Sequence, residues 1–144
     1  MRSIARHIVA ALLIAPLGAT AQHASGQHAG TPNAAQDIVV KQLMTKLPPD
    51  IPGKEVLAIT VDYAPGAGDP VHRHDAHAFV YVLEGSIVMG VKGGKEVTLK
   101  PGETFYEGPD DVHTVGRNAS KTQPAKFLVV MVKNKGVDFF MPVK

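Results

Sequence analysis

The sequence predicts an all-β domain of the sandwich or barrel type. From residue 37 onward, clusters of Gly, Pro and Asp interrupt the chain every eight to fifteen residues, and no segment carries the pattern of a long amphipathic helix. The runs between the clusters are rich in β-branched and aromatic residues, as strands are. Short strands at regular spacing are typical of sandwiches and barrels. The strands predicted in chain order are residues 39–47, 56–63, 78–83, 86–91, 96–99, 104–107, 114–117 and 126–132.

A turn signal follows each predicted strand. Proline fixes φ and removes a backbone donor, and glycine reaches conformations that other residues avoid, so both end a strand pattern. In order, the signals are Pro48-Pro49, Pro65-Gly66, Glu84-Gly85, Gly93-Gly94, Pro101-Gly102, Gly108-Pro109, the polar loop after Arg117, and residues 134–136.

Two predicted strands are apolar on both faces. Residues 78–83 and 127–132 are continuous apolar runs, whereas a strand with one wetted face alternates polar and apolar residues. We therefore expect the outer face of this sheet to be covered, either by the N-terminal strand or by a second copy of the chain. The resulting prediction is a homodimer.

Residues 1–21 have the pattern of a secretory signal peptide. Arg2 and Arg6 provide the positive start, residues 8–14 are unbroken apolar, and small residues precede an expected cleavage before Gln22. The apolar stretch is shorter than the ~20 residues that a membrane span needs. The sequence thus predicts a secreted, periplasmic protein with no membrane anchor after cleavage.

Composition divides the remaining chain and excludes several functions. Residues 22–36 hold no large apolar side chain and are predicted to be a flexible tail, which leaves residues 37–144 as one domain. Without Arg2 and Arg6 the chain has 15 − 2 = 13 basic residues against 13 acidic ones, so it lacks the positive field of a nucleic-acid-binding protein. Cysteine is absent, which excludes disulfides, thiolate metal sites and thiol nucleophiles.

A dense histidine cluster is the main chemical signal. His72, His74 and His77 lie within six residues. His72 and His74 have strand spacing, which places both imidazoles on one face about 7 Å apart. Neutral imidazole is a common ligand of zinc, copper, iron and nickel. The cluster also leads directly into an apolar strand, so we expect a buried imidazole that needs a partner.

These residues resemble the cupin superfamily, in particular the small single-domain bacterial cupins. The first cupin motif is G-x5-H-x-H-x3–4-E-x6-G, and Gly66, His72, His74 and Gly85 are in register with it. The second motif is G-x5-P-x-G-x2-H-x3-N. Gly102 and His113 have its spacing, and the resemblance covers roughly residues 56–132. It implies a cupin jelly roll, with one divalent transition metal ion (Fe, Mn, Zn, Ni or Cu) on His72, His74 and His113.

The chain departs from the first motif at its carboxylate. The Glu of the motif corresponds to residue 78 or 79, and these are Ala78 and Phe79. Two residues are candidates for the missing ligand. A β-bulge would turn His77 inward, whereas strict alternation from His74 points it away. Glu107 ends the strand that leads into the second motif and is the other candidate.

The resemblance implies a small-molecule metalloprotein and leaves two classes of function open. One is a metal-dependent enzyme, either a dioxygenase-like oxidoreductase or a lyase of a small acid, and its catalytic residues are not identified. The other is a non-catalytic cupin that binds a metal or a small ligand for sensing or storage. In both cases we expect the ligand to lie in an apolar pocket lined by Ala78, Val80, Met89, Phe105, Tyr106, Val115, Phe127, Val129 and Met131.

Overall fold

The structure, a computed structural model, describes residues 37–143. The signal peptide predicted for residues 1–21 and the tail predicted for residues 22–36 lie outside the described residues, as does residue 144. Within the described part of the chain, no helix is long and apolar enough to cross a membrane.

Ten β-strands form the described domain, and the predicted all-β class is confirmed. Every strand predicted from the sequence is present, with ends that move by two residues at most. Two further short strands were not predicted. In chain order the strands are β1 (Ile38–Lys46), β2 (Lys54–Tyr63), β3 (His72–Arg73), β4 (Ala76–Glu84), β5 (Ile87–Val91), β6 (Val97–Leu99), β7 (Thr104–Glu107), β8 (His113–Asn118), β9 (Ala125–Asn134) and β10 (Met141–Pro142).

The strands form two antiparallel sheets of five strands each. The first sheet has the order β1-β2-β9-β4-β7, and the second has the order β10-β3-β8-β5-β6. Their inner faces share one apolar core, in which Ile59 and Val80 of the first sheet join Ile87 and Met89 of the second. Sheets packed face to face around a shared core make the sandwich that the sequence predicts.

Strand β4 has one buried face and one exposed face. Its buried side chains alternate with exposed ones, and the buried ones are those of Ala76, Ala78, Val80 and Val82. Strand β1 pairs with β2 and forms the edge of the first sheet, so it does not cover the outer face. The prediction that the N-terminal strand covers this face is therefore wrong. The outward apolar side chains of β4 are Phe79, Tyr81 and Leu83, which are 50%, 43% and 39% exposed.

A glycine permits the chain to pass from the first sheet to the second. Gly85 lies between β4 and β5 with a φ of 70°, in the left-handed region that favours glycine. A Cβ atom there would also lie 2.4 Å from the carbonyl oxygen of Pro124. Both constraints exclude any other residue at this crossing.

The two strands that sequence did not predict pair with each other. Strand β3 has two residues, and Met141 and Pro142 of β10 lie opposite Arg73 and His72. Two residues are too few to produce a periodic pattern, so only the tertiary pairing defines these strands. The pairing brings the C-terminal segment against the histidine cluster.

Candidate metal centre

Three imidazoles converge at one end of the second sheet. His72 lies on β3, and His113, the first residue of β8, is its direct cross-strand partner. His74 follows β3 in the turn that leads into β4. The three side chains are buried, with 2%, 8% and 3% exposure for His72, His74 and His113.

A carboxylate reaches the same point from the first sheet. Glu107 is the last residue of β7, is 3% exposed, and lies directly opposite Ala78 in the β4–β7 ladder. Cross-strand neighbours have Cβ atoms roughly 4.5–5.5 Å apart on the same face of a sheet. The carboxylate that the cupin motif has on β4 is thus replaced by one from the adjacent strand, and the methyl group of Ala78 leaves room for it.

The four side chains present a compact set of donor atoms. The Nε2 atom of His72 lies 3.2 Å from Nε2 of His74, which lies 3.3 Å from Oε2 of Glu107. The Nδ1 atom of His113 lies 3.6 Å from Oε1 of Glu107 and 3.4 Å from Nε2 of His72. All four donors lie within 4.8 Å of one another.

This spacing fits one divalent transition metal ion. Bonds of about 2.1 Å in a tetrahedral arrangement place neighbouring donor atoms roughly 3.4 Å apart. Four contacts among these side chains, at 3.2–3.6 Å, are close to that value, and no two of the four donors are more than 4.8 Å apart. Imidazole nitrogen with one carboxylate oxygen is a donor set used by zinc, iron, manganese, nickel and copper sites. The four residues therefore have both the chemistry and the spacing to hold such an ion.

Backbone carbonyls fix the orientation of two imidazoles. His72 donates from Nδ1 to the carbonyl of Pro70 at 2.8 Å, and His74 donates from Nδ1 to the carbonyl of Phe139 at 2.5 Å. Because a carbonyl oxygen only accepts, each proton is held on Nδ1 and Nε2 faces the cluster. His113 faces the cluster with Nδ1, and its Nε2 has no hydrogen-bond partner among the described residues.

The electrostatics of the metal-free cluster favour one ion pair. Burial opposes the charge of Glu107, but its hydrogen bond from His74 and the neighbouring imidazoles hold the pKa of Glu107 below its usual value. Burial also opposes protonation of His74, but Glu107 and the Phe139 carbonyl raise the pKa of His74. Burial lowers the pKa of His72 and of His113. In the metal-free protein, a proton on His74 thus neutralises the charge of Glu107, as a bound cation would.

A second, partly buried acid lies next to the cluster. Asp69 accepts a hydrogen bond from the hydroxyl of the buried Tyr63. Burial raises the pKa of Asp69, and burial together with the adjacent carboxylate raises the pKa of Tyr63. A Cβ atom on Gly116 would lie 2.9 Å from Cε1 of His113 and 3.0 Å from Oδ2 of Asp69. Only glycine at 116 lets both side chains keep their positions.

A small cavity of about 70 Å³ adjoins the four donors. Of the nine predicted pocket residues, five line it, all on the inner faces of their strands. Sequence reasoning missed Asp69, which is one of the five unspecified residues between Gly66 and His72 in the first motif, and the C-terminal phenylalanines. It also missed Ile59 and Val61, although the alternation of β2 was enough to find these two inward residues. The predicted lining residues are Val80, Met89, Phe127, Val129 and Met131, and the missed ones are Val40, Ile59, Val61, Asp69, Phe139 and Phe140.

The other four predicted pocket residues do not line the cavity. Ala78 is buried beside Glu107 but has only a methyl group. Phe105 packs against the core, and Tyr106 is 49% exposed on the outer face. The β5–β8 register shifts between Gly90 and Val91, which makes Thr114 an extra residue on β8 and turns Val115 away from the inner face.

His77 lies on the opposite face of the sheet from the cluster. Alternation continues through β4, with Ala76 and Ala78 buried and His77 exposed. Its Nδ1 atom pairs with the hydroxyl of Tyr106 at 2.7 Å. The inward bulge that would make His77 a ligand is absent, so this alternative was wrong. Of the two candidates, only Glu107 lies within the cluster.

In metal-free protein, the pKa of His74 and the pKa values of His72 and His113 should be shifted in opposite directions. NMR titration should place the pKa of His74 above 6.5 and those of His72 and His113 below it. The Glu107→Gln variant should lower the His74 pKa, because burial still opposes the charge while the hydrogen bond and the negative charge of Glu107 are lost. A His74 pKa that does not change in this variant would contradict the ion pair.

The same pair predicts how the stability of the metal-free fold depends on pH. The raised pKa of His74 adds stability below 6.5 that is lost as the pH rises through its folded-state value. The lowered pKa of Glu107 adds stability above 4.5 that is lost as the pH falls through its folded-state value. Urea unfolding should therefore show that the pair contributes most to the free energy of unfolding between pH 4.5 and pH 6.5. The Glu107→Gln variant should lose this contribution.

Comparisons with known proteins identify a family and a fold. The model of the family described as "Cupin domain" matches residues 59–131. No curated protein sequence matches the chain. Among solved structures, an oxalate oxidase in complex with the substrate analogue glycolate is 27% identical with a TM-score of 0.56, and the match covers 76% of this chain and 57% of that one.

Two further structures share the fold at lower identity. The dimethylsulfoniopropionate (DMSP) lyase DddQ from Ruegeria pomeroyi is 22% identical with a TM-score of 0.52, over 58% of this chain and 41% of that one. A protein with a double-stranded β-helix domain from Klebsiella pneumoniae is 17% identical with a TM-score of 0.59, over 75% of this chain and 86% of that one. This chain thus matches about half the length of the lyase and the oxidase.

Proposed function

The chain belongs to the cupin domain family, and from this we propose that it is a metalloenzyme that acts on a small carboxylate at one divalent transition metal ion. The observation that carries the proposal is the group of four buried side chains, which approach one another at 3.2–3.6 Å, beside a cavity of about 70 Å³. A buried carboxylate among three imidazoles is costly unless it is paired, and a cation is the partner that all four side chains share.

The charge of the proposed centre favours an anionic ligand. Three neutral imidazoles and one carboxylate leave a divalent ion with one net positive charge and with open coordination positions. The bound metal would supply Lewis acidity or redox chemistry to a ligand at those positions. Apart from the four donors and Asp69, the cavity walls are aliphatic and aromatic, so the recognition of a charged ligand is left to the centre and to Asp69.

Asp69 is the residue that we assign to proton transfer. Among the described residues that line the cavity, it is the one ionisable side chain outside the four donors. Its raised pKa brings proton uptake closer to neutral pH, and the hydrogen bond from Tyr63 holds the carboxyl group in place. A carboxyl group in this position can give a proton to a ligand in the cavity or take one from it.

The substrate class is supported by chemistry and by one comparison. A small carboxylate matches the net charge and the size of the cavity. The oxalate oxidase that is 27% identical carries a small hydroxy acid, glycolate, as its substrate analogue. On this basis oxidation of a small acid is the reaction we propose, and loss of carbon dioxide from such an acid is the related lyase reaction. A cupin that binds metal without turnover is the other outcome of the tests below.

Metal binding should depend on the four clustered donors and not on His77. Protein purified without chelator should contain one metal ion per chain by elemental analysis. We expect His72→Ala and Glu107→Ala to lower the affinity by more than the roughly 10–100-fold that loss of an outer hydrogen-bond partner costs. The matched control His77→Ala removes an outward imidazole and should retain the metal.

A relocated carboxylate gives a sharper form of this test. Because residues 78 and 107 are cross-strand neighbours, Glu107→Ala combined with Ala78→Glu should recover much of the lost affinity. Metal-free wild-type protein would contradict the proposal. Wild-type protein that binds metal but neither consumes oxygen nor releases carbon dioxide with a panel of small carboxylates would favour the non-catalytic binder.

We also propose that a second copy of the chain covers the outer face of the first sheet. This outer face consists of Phe79, Tyr81, Leu83, Tyr106, Leu128 and Val130. Its three aromatic side chains are 43–50% exposed, which amounts to roughly 300 Å² for rings of this size. The aliphatic side chains extend the patch towards the roughly 800 Å² per partner of a stable interface.

The charges beside the outer face are compatible with self-association. A two-fold interface places the same patch on both copies, so an excess of one sign would be repulsive. Asp62 and Lys126, on the adjoining strands, neutralise each other at 3.0 Å. Two identical faces can therefore meet without like-charge repulsion from this pair.

Light scattering after size exclusion should give the mass of a dimer at micromolar concentration. Phe79→Lys combined with Tyr81→Lys should give a monomer, because charge cannot be buried in the apolar interface. The control Val97→Lys changes an exposed residue of the other sheet and should stay dimeric. A monomeric wild-type protein would refute this interface and leave the metal centre untouched.

Export to the periplasm is the last part of the proposal, supported by the signal-like pattern of residues 1–21. When the full chain is expressed in a Gram-negative host, mass spectrometry of the periplasmic fraction should find a protein that starts at Gln22. Arg2→Glu combined with Arg6→Glu should retain the uncleaved chain inside the cell. Unprocessed wild-type protein that starts at Met1 and stays in the cytoplasm would contradict export.

A further inference from the structure

We propose that residues 137–143, here called the C-terminal strap, are part of the metal centre: the Phe139 carbonyl orients His74, and the Phe140 ring restricts the cavity to ligands of a few atoms. This inference rests on the proposed function, because it concerns the same ion. It adds a positioning element and a size limit that neither the two histidine motifs nor the family match over residues 59–131 contains.

The first role of the strap is to hold one ligand in a single tautomer. His74 lies between β3 and β4, outside both strands. Its Nδ1 atom donates to the Phe139 carbonyl at 2.5 Å, which leaves Nε2 directed at Glu107 and His72. A hydrogen bond to the far nitrogen of a metal-binding imidazole fixes the ring and raises its basicity.

The second role is to cover the opposite imidazole. The Phe140 ring stacks on His72 with a centroid separation of 4.3 Å and an interplanar angle of 22°. Phe139 and Phe140 both line the cavity. One backbone carbonyl and one ring from adjacent residues thus act on two different donors of the centre.

The strap is attached at both ends, so its position is defined. At its start, the buried Lys133 donates to the Val137 carbonyl and pairs with Glu55. At its end, β10 pairs with β3, and the amide of Val143 donates to the carbonyl of Val71 at 3.0 Å. The attachment on β3 is to the strand that carries His72, so the strap and this ligand are aligned by the same ladder.

The size of the cavity gives the limit on the ligand. An apolar cavity of about 150 Å³ binds benzene, so a cavity of about 70 Å³ admits only a ligand with fewer heavy atoms than benzene. A larger ligand has to displace the aromatic side chains of the strap. The Phe140→Ala variant removes one of these side chains and leaves the Phe139 carbonyl in the chain.

Cobalt(II) added to metal-free protein tests both roles without an activity assay. The full-length chain should bind cobalt with a visible spectrum that azide perturbs and that picolinate, a chelator with an aromatic ring, does not. In Phe140→Ala, picolinate should perturb the spectrum as well. A chain that ends at Gly136 should lose roughly 10–100-fold in cobalt affinity and release cobalt faster to a chelator.

The outcomes separate this inference from the function on which it rests. If wild-type protein binds no cobalt, the proposed function fails. If wild type binds cobalt and both variants match it in affinity, release rate and response to picolinate, the role of the strap is refuted and the metal centre stands. Val97→Ala, on the far edge of the second sheet, is the control that should match wild type throughout.

A second measurement covers the case in which the shortened chain does not fold. Nitrogen-15 NMR of metal-free wild-type protein, at a pH above the pKa of His74, should find the His74 proton on Nδ1. A proton on Nε2 would refute the orienting role of Phe139, whatever the shortened chain does. Circular dichroism of each variant reports whether it is folded.

Discussion

The burial of one carboxylate determines which side chains have to surround it at this end of the domain. Glu107 is 3% exposed, and an ionised group in such a place is stable only with partners of opposite charge and with hydrogen bonds. His74 supplies the partner in the metal-free chain, and its neighbours His72 and His113 stay neutral because burial lowers their pKa. The same four side chains can exchange that one proton for one divalent cation. The charge partner that the buried Glu107 needs for stability can therefore be a bound metal ion.

The position of this carboxylate explains how the chain departs from the cupin motif and keeps its donor set. Residues 78 and 107 face each other across the β4–β7 ladder, so a side chain from either strand enters the same space. Glutamate at one position requires a small residue at the other, and Ala78 satisfies that requirement. Gly116 plays the same part on the other sheet, where any Cβ would crowd His113 and Asp69. Three donors are thus held by sequence motifs, and the fourth by a cross-strand relation.

The sequence predicts what depends on local chemistry and misses what depends on register. Turn residues locate eight of the ten strands, since Pro and Gly end strand patterns wherever they stand. The choice between His77 and Glu107 is different, because it depends on which residue of β7 lies opposite Ala78. Val115 fails as a pocket residue for a similar reason, a shift in the β5–β8 register. Phe139 and Phe140 carry no motif at all, and only the pairing of β10 with β3 brings them to the site.

The donors come from both sheets, and this ties metal binding to the stability of the sandwich. His72 and His113 belong to the second sheet, and Glu107 belongs to the first. An ion that bridges them binds the folded chain and not the unfolded one, so it stabilises the packing of the two sheets in proportion to the logarithm of its concentration over its dissociation constant. The His74–Glu107 pair bridges the same gap when no ion is bound, and the C-terminal strap holds His74 in place in either state. The fold therefore keeps the site assembled before a cation arrives, so that binding requires the loss of a proton and not a rearrangement of the sheets.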